Sequence, residues 1–518
     1  MEFKRSSGIL MPISSLPGGY GIGSLGAPAR QFVDFLAAAG QSIWQILPVA
    51  PTGYADSPYQ SCSAFAGNPY FIDLDLLAAD GLLDKSDYAA LDWGGDAHKV
   101  DYGTIYNQRF AVLRVAYENF LKQRPVPGYD TPYGDDWYRF RFLSDAWLPD
   151  YCLYMAIKQE NGMKDWQQWP EGLRMREPAA LEEFRAAHAA DLEFWAFLQY
   201  EFDKQWRALH AYATEKGVQI MGDIPIYVAA DSADFWAGRE LFETDAQGHP
   251  RRVAGCPPDY FAADGQLWGN PLYDWEYHRN TGYAWWIRRI RHALSIYDIL
   301  RIDHFRGFDT YWAIPFGETT ARSGRWEVGP RMELFRALRN ALGDLPIVAE
   351  DLGEMFPSVR ELLAASGFPG MKVLQFAITG EDSVDLPHNY PRNCVAYPGT
   401  HDNNTLKGWF TKELSDAGRR QATAYFALTK TEGNFRGLLR GVLASPAALA
   451  VVPMADWLGK GPEARMNTPG KADGNWQWRA DAKDFTPALA GEIRELCVRY
   501  FRAKPVKKAA RKSAGKAE

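Results

Sequence analysis

The sequence predicts an α/β fold, a (β/α)8 TIM barrel with a large, mostly helical insertion and further loop subdomains on the C-terminal face of the strands. Eight short apolar or β-branched runs recur along the chain, and each leads into a loop with polar residues. Helix-period segments separate several of these runs; Phe32, Phe35 and Ala39, for example, fall at positions i, i+3 and i+7. A doubly wound sheet shows the same alternation, so the strand count alone favours the barrel only slightly.

The eight predicted strands follow one another in chain order. They are Gly8–Ser14, Ser42–Val49, Val218–Ile224, Ile299–Asp303, Pro346–Glu350, Met371–Phe376, Cys394–Tyr397 and Leu449–Met454. Continuous apolar runs of this length are typical of parallel strands that are buried on both faces. In a barrel the carboxyl ends of all the strands lie on one face, where the polar residues that follow them would meet.

The spacing of the runs is uneven and predicts insertions. Amphipathic helices, rather than strands, fill the long interval between the second and third runs. We therefore expect a catalytic barrel over residues 1–500, interrupted by a mainly helical insertion at about 71–210 and by a loop subdomain at about 229–296. Residues 503–518 carry six lysine or arginine residues against one glutamate, which predicts a basic, disordered tail.

Composition excludes several classes of protein. The 518 residues carry a formal net charge of −7, which argues against a nucleic-acid-binding surface. The most apolar stretch, residues 442–454, is shorter than the ~20 residues that a membrane span needs. The five cysteines are scattered and form no C-x-x-C pair, so we expect neither a disulfide framework nor a zinc ribbon. A cytoplasmic protein fits these features best.

Aromatic residues are abundant, with 19 Trp, 26 Tyr and 28 Phe. They could fill a large core. Alternatively, some of them could line a groove for a ligand with flat faces, because a buried indole N–H needs a partner. Sugar rings and nucleobases both have such faces, and the negative charge disfavours bases.

Motifs for common cofactors are missing or incomplete. Residues 21–26 match G-x-G-x-x-G, but no acidic residue ends the second strand, so a simple glycine loop explains them better than a dinucleotide site. No H-x-x-x-H pair, calcium loop, G-x-S-x-G elbow or phosphate-binding P-loop occurs. The sequence therefore predicts no metal site and no organic cofactor.

Four carboxylates stand at the ends of predicted strands: Asp223, Asp303, Glu350 and Asp402. One such residue alone is usually a cap or turn residue. Four at the same end of one barrel would converge on a single site. Two carboxyl groups at an aromatic groove are what glycosidic bond chemistry requires, one as the nucleophile and the other to protonate the leaving oxygen.

These residues lie in strings that resemble a known family. RIDHFRGF, DIPIYV, AEDLG and THDN are similar to motifs of the 4-α-glucanotransferases, also called amylomaltases or disproportionating enzymes (glycoside hydrolase family 77, α-amylase clan). Segments such as GYADSPYQSCSAFAGNPYFIDLD and EARMNTPGKADGNWQWR extend the resemblance over most of the chain. Three departures are visible. The run Met11–Pro17 lacks the His that often precedes Thr-Ser-Leu-Pro in the family, and Ala55 and Asn404 stand where many members have Gly and Asp.

The resemblance implies roles for individual residues. Asp303 would be the nucleophile, Glu350 the acid/base, and Asp402 the residue that grips the 2- and 3-hydroxyls of the sugar. Arg301 would stabilise the carboxylate of Asp303. The other implied substrate-binding residues are His304, His401, Asp223, Ser57, Tyr59, Asp259, Tyr260, Gln266, Trp268 and Asn475.

By the same resemblance, the chain would transfer α-1,4-glucan segments between maltooligosaccharides, amylose or glycogen-type glucans, with retention and without a cofactor. Two alternatives remain at this stage. A hydrolytic α-amylase-like enzyme would use water as the acceptor, and a silent glucan-binding protein would have kept only the groove. The presence of both Asp303 and Glu350 disfavours the silent protein.

Overall fold

A computed structural model describes residues 3–123, 134–258, 263–353 and 355–504. Within these residues the strands are β1 Ser6–Leu10, β2 Ile43–Gln45, β3 Gln219–Ile224, β4 Arg252–Cys256, β5 Gln266–Pro271, β6 Ile299–Ile302, β7 Thr310–Pro315, β8 Arg325–Val328, β9 Ile347–Ala349, β10 Gly370–Val373, β11 Cys394–Tyr397 and β12 Leu449–Pro453.

The α-helices of the same residues are α1 Ala27–Ala38, α2 Leu74–Ala79, α3 Tyr102–Gln123, α4 Gly134–Leu143, α5 Leu148–Glu160, α6 Glu171–Arg174, α7 Pro178–Ala187, α8 Ala189–Glu215, α9 Ala233–Ala237, α10 Trp275–Asn280, α11 Ala284–Ile296, α12 Arg331–Leu342, α13 Pro357–Ser366, α14 Leu406–Gly408, α15 Asp416–Tyr425, α16 Asn434–Ala444, α17 Met454–Trp457 and α18 Pro487–Arg499.

Eight strands form one sheet in the order β10-β11-β12-β1-β2-β3-β6-β9, and every pair in it is parallel. The two end strands meet where the amide of Ala349 donates to the carbonyl oxygen of Pro369, at 2.9 Å. This contact brings the ends of the sheet together as a barrel and confirms the predicted fold class. Each of the eight predicted runs overlaps one barrel strand.

The strands are buried on both faces, as a parallel sheet covered by helices requires. In β6, for example, Ile299, Leu300 and Ile302 are all fully buried. Several boundaries differ from the prediction; β2, for example, ends at Gln45 instead of Val49. β1 ends at Leu10, because Pro12 cannot donate a ladder hydrogen bond and Ile13–Ser15 forms a 3-10 turn. β10 likewise gives way to a 3-10 turn at Leu374–Phe376.

A second, antiparallel sheet in the order β5-β4-β7-β8 lies outside the barrel. The sequence predicts only loops where β4 and β5 lie. The reason is physical: this sheet has a small core of Val253, Ile314 and Ala321, and β8 is exposed or half-buried along its length. Its strands therefore lack the continuous apolar run that marks a barrel strand.

Helices α2 to α8 occupy the chain between β2 and β3. The longest of them, α8, supports the loop that follows β2. The side-chain amide of Gln199 donates to the carbonyl oxygen of Gly67 at 2.9 Å and accepts from the amide of Gly67 at 2.7 Å. This paired contact anchors the segment that carries Ser57 and Tyr59. The division of the chain into barrel and insertions stays a prediction.

The glycine loop before α1 is explained by close backbone contacts. A Cβ atom at Gly23 would lie 1.8 Å from the carbonyl oxygen of Ile13, and one at Gly26 would lie 2.1 Å from the carboxylate of Asp73. Only glycine fits such approaches.

The described helices include none that is both long and apolar enough to cross a membrane. Of the predicted tail, Lys504 still donates its amide hydrogen to the carbonyl oxygen of Gly40 at 3.0 Å. Residues 505–518 lie outside the described part of the chain.

Candidate active site

Arg301 lies between two carboxylates at the C-terminal end of the barrel. It is on β6, and its guanidinium donates to Asp223 Oδ2 at 2.6 Å and to Asp303 Oδ1 at 2.8 Å. Asp223 is its direct neighbour in β3, and Asp303 follows β6. Burial by itself would lower the pKa of Arg301, but the two carboxylates raise it well above its usual value, so the guanidinium stays charged.

Asp223 is completely buried. Burial raises the pKa of its carboxyl group, and the charge of Arg301 opposes this shift. Its Oδ2 also accepts a hydrogen bond from the hydroxyl of Tyr59 at 2.8 Å. Asp223 therefore links the end of β3 to the loop after β2.

Glu350 follows β9 and lies beside Asp303. Its Oε2 accepts from the amide of His304 at 2.7 Å, and its Oε1 accepts from the amide of Leu352 at 2.8 Å. Burial, and then the negative charge of Asp303, raise the pKa of Glu350 to about 8. At neutral pH this carboxyl group consequently holds its proton.

His304 connects the barrel to the antiparallel sheet. It has a left-handed backbone (φ 54°, ψ 48°), which points its amide at Glu350 and marks a strained position of the kind found at functional sites. Burial lowers the pKa of its imidazole to about 4, so the ring is neutral at neutral pH. The edge of one ring meets the face of the other between His304 and Trp268, at 4.8 Å between centroids. The indole N–H of Trp268 donates to Gln266 Oε1 at 3.1 Å, so β5 brings both residues to the site.

Asp402 follows β11 on the other side of the barrel mouth. His401 is buried, with its Nε2 at 3.4 Å from Asp402 Oδ2, and its ring stacks on Tyr59 at 5.0 Å and 17°. Ser57 stabilises the turn that carries Tyr59, because its Oγ accepts from the amide of Tyr59 at 3.2 Å. The Asp402 side chain remains 43% exposed, so solvent or a ligand can reach it.

Asn475 is a predicted residue that the described contacts do not join directly to this cluster. Both polar atoms of Asn475 are used within its own segment: Oδ1 accepts from the amide of Thr468 at 2.9 Å, and Nδ2 donates to the carbonyl oxygen of Lys471 at 2.7 Å. Asp259 and Tyr260 lie outside the described residues.

Comparisons with known proteins agree with this geometry. A family model described as 4-alpha-glucanotransferase matches residues 11–484. The chain belongs to the 4-alpha-glucanotransferase family.

Individual members of the family match nearly the full length. The 4-alpha-glucanotransferase of Clostridium butyricum is 47% identical over 496 residues, which are 95% of this chain and 100% of that protein. That of Thermus thermophilus is 44% identical over 503 residues, 96% of this chain and 99% of that protein. The solved amylomaltase of Streptococcus agalactiae in complex with acarbose superposes with a TM-score of 0.93 at 42% identity, covering 97% of this chain and 100% of that one.

The structure also places further residues beside this candidate site, which the sequence alone did not indicate. The ring of Trp476 lies 5.8 Å from Tyr59 and 5.9 Å from His401. Asn467 and Arg465 contact Asp402. All three belong to the segment EARMNTPGKADGNWQWR, in which only Asn475 was identified, so the resemblance of that segment was the available signal.

Among the described residues no group of three or more His, Cys, Asp or Glu side chains is arranged to hold a metal ion. The candidate site combines a carboxylate beside a guanidinium, a neighbouring carboxyl group with a raised pKa, and nearby aromatic rings. These are the components of acid/base and nucleophilic catalysis.

Proposed function

We propose that this chain is a retaining transglycosylase that moves α-1,4-glucan segments from one maltooligosaccharide or glucan to the 4-hydroxyl of another, or to glucose. Relatives at 44–48% identity are named 4-alpha-glucanotransferases, and one amylomaltase of the same fold was solved with acarbose. The observation that carries the proposal is a pair of neighbouring carboxyl groups in different surroundings: Asp303 accepts a hydrogen bond from the Arg301 guanidinium, and Glu350 has its pKa raised to about 8.

In the first step Asp303 attacks the anomeric carbon of the donor, and the glycosidic bond breaks. The proton of Glu350 passes to the leaving oxygen, and the glycosyl unit remains covalently attached to Asp303. His304 fits this step, because its backbone amide fixes one oxygen of Glu350 while its neutral ring adds no competing charge.

In the second step the ionised Glu350 removes the proton of an incoming 4-hydroxyl, whose oxygen attacks the anomeric carbon and releases Asp303. Two displacements at the same carbon retain its configuration. Asp402 would hold the 2- and 3-hydroxyls of the reacting sugar, and Tyr59, stacked on His401, would lie against its face. Asp259 and Tyr260 remain candidates for the acceptor side by resemblance alone.

Transfer requires that a sugar, rather than water, reaches the covalent intermediate. Trp268 and Gln266 lie on a strand of the antiparallel sheet, next to His304. An acceptor sugar stacked on the Trp268 indole would displace water from this side of Glu350. The names of the relatives also favour transfer over the hydrolytic alternative.

We further propose a cytoplasmic location. All five cysteines lie in the described part of the chain as free thiols, and four of them are buried. Free thiols fit a reducing compartment.

Incubation of the purified chain with maltotriose, followed by chromatographic sizing of the products, tests the proposal. Glucose together with maltotetraose and longer chains is the expected result. A mixture of glucose and maltose alone would make water the acceptor and identify a hydrolase. No reaction with either maltotriose or amylose would leave only glucan binding. Asp303→Asn serves as the inactive control.

A further inference from the structure

Asp402 is held by a segment that is distant in sequence. The side-chain amide of Asn467 donates to Asp402 Oδ1 at 2.6 Å, and the guanidinium of Arg465 donates to the main-chain carbonyl oxygen of Asp402 at 2.9 Å. The amide of Asn467 donates to the carbonyl oxygen of His401 at 3.1 Å. Residues 465–467, which follow β12, thus contact both the main chain and the side chain of the loop after β11.

These contacts matter because Asp402 has little other support. Its side chain is 43% exposed, and its Oδ2 is 3.4 Å from His401, which is a long ion-pair distance. A carboxylate that must grip two hydroxyls needs to be held within about 0.5 Å of its working position. The short hydrogen bond from Asn467 fixes Oδ1, while Oδ2 has only the long contact with His401.

Arg465 anchors this arrangement at two further points. Its Nε donates to the carbonyl oxygen of Asn467 at 2.7 Å, and its Nη1 lies 3.3 Å from Glu413 Oε1. The same oxygen of Glu413 accepts from the side-chain amide of Asn404 at 2.8 Å. Asn404 is two residues after Asp402. The Arg465 side chain therefore holds the loop after β11 at two points, directly at Asp402 and through Glu413 at Asn404.

We propose that Asn467 and Arg465 are positioning residues for Asp402. Asn467 selects the carboxylate orientation through Oδ1, and Arg465 fixes the main chain that carries it. This inference rests on the role proposed above for Asp402. It adds that the residues following β12 contribute to transition-state geometry, although neither of them touches the reacting atoms.

Substitution of Asn467 tests the inference through two readouts. Asn467→Ala should lower kcat for maltotriose about 10- to 100-fold and change KM less than about 3-fold, because a misplaced group mainly loses transition-state contacts. Asn467→Asp should be the more informative variant. Its carboxyl group keeps the shape of the amide, donates to Asp402 when protonated, and repels Asp402 when ionised.

The activity of Asn467→Asp relative to the unmodified enzyme should therefore fall as pH rises from about 5 to about 7. The charged and titratable groups facing this pair are His401, Arg465 and, through Arg465, Glu413. A residue that merely supports the fold would give the same relative activity at every pH. That result would overturn the inference, even if Asn467→Ala failed to fold.

Two controls separate this inference from the proposed function. Lys471→Ala, an exposed change in the same segment, should leave kcat unchanged. Asp402→Asn should be almost inactive. Full activity of Asp402→Asn would refute the role of Asp402 itself, whereas an inactive Asp402→Asn together with an unaffected Asn467→Ala would refute only the positioning role.

Discussion

Single residues in this site give two neighbouring carboxyl groups, those of Asp303 and Glu350, different electrostatic surroundings. Arg301 is buried between Asp223 and Asp303 and forms an ion pair with each of them. The described contacts include no ion pair of Glu350; its burial and the negative charge of Asp303 raise its pKa to about 8, although the charge of Arg301 opposes this shift. The same environment therefore produces both a nucleophile and an acid, a pattern that retaining glycoside chemistry requires.

The raised pKa of Glu350 predicts the alkaline side of the pH profile. The first step needs the protonated acid, and the protonated fraction falls as pH rises through about 8. We expect kcat/KM for maltotriose, measured from pH 5 to pH 10, to remain level near neutrality and to fall tenfold per pH unit well above that value. A fall that begins near pH 5 would contradict the burial argument. Circular dichroism at each pH checks that the chain remains folded.

The roles of the two carboxyl groups can be separated with α-maltotriosyl fluoride and azide. Fluoride leaves without a proton, so Glu350→Ala should still form the covalent intermediate and then stall. Azide needs no base, so it should restore turnover and give the α-azide. Asp303→Ala cannot form the intermediate, and its rate should fall about 10⁴-fold or more. Any azide product from this variant would be the β-azide. A β-azide from Glu350→Ala together with an α-azide from Asp303→Ala would reverse the two assignments.

At the scale of secondary structure, the strand ends were the most predictable part of the site. A parallel barrel necessarily gathers the residues that follow its strands, so four scattered carboxylates could be assigned to one face from sequence alone. The segment that holds Asp402 could not be found in this way. Residues 465–476 form no barrel strand and show no helical period, and Asn467 reaches Asp402 across 65 positions of the chain. Such contacts depend on the closed barrel and leave no local pattern.

Helix α5 is joined to the rim of the barrel by a largely buried ion pair. The ammonium of Lys158, 9% exposed, contacts Asp231 in the loop after β3, and Asp231 also accepts from the hydroxyl of Tyr154. The indole N–H of Trp166 donates to the carbonyl oxygen of Ala230, the residue before Asp231, at 2.8 Å. This cluster fixes the helical segment against the barrel near the groove.

Removal of Asp231 should therefore destabilise the chain. Asp231→Ala leaves the Lys158 ammonium buried without its carboxylate, and we expect the free energy of unfolding to fall by about 2–4 kcal/mol. Lys158→Met removes the buried ammonium group itself and should cost less. Asp136→Ala breaks an exposed pair with Arg207 and should cost less than about 1 kcal/mol. Urea unfolding of the three variants checks this order, and equal effects of Asp231→Ala and Asp136→Ala would contradict it.

At the scale of the whole molecule, the two ends of the chain close the barrel together. β1 pairs with β12, and helix α18 packs on α1. Arg502, which is 1% exposed, lies beneath this junction. It donates to five main-chain carbonyl oxygens, those of Ser6, Leu443, Ser445, Ala447 and Ala448. One side chain after the last helix thus joins the start of β1 to the approach of β12, at the face of the barrel opposite Asp303.

Arg502→Met should consequently separate stability from catalysis. The methionine keeps much of the apolar volume but removes all five hydrogen bonds of a buried guanidinium, so we expect the free energy of unfolding to fall by about 3 kcal/mol. Arg5, which donates to three of the same carbonyl oxygens, would keep them from being left without a donor. Arg499→Met, which removes an exposed pair with Glu495 on α18, should change it by less than about 1 kcal/mol. Because Arg502 lies at the amino ends of the strands, kcat for maltotriose at 25 °C should stay within about twofold for both variants. An unchanged urea midpoint for Arg502→Met would show that the junction does not hold the barrel closed, and a loss of kcat without a loss of stability would show that it acts on the distant active face.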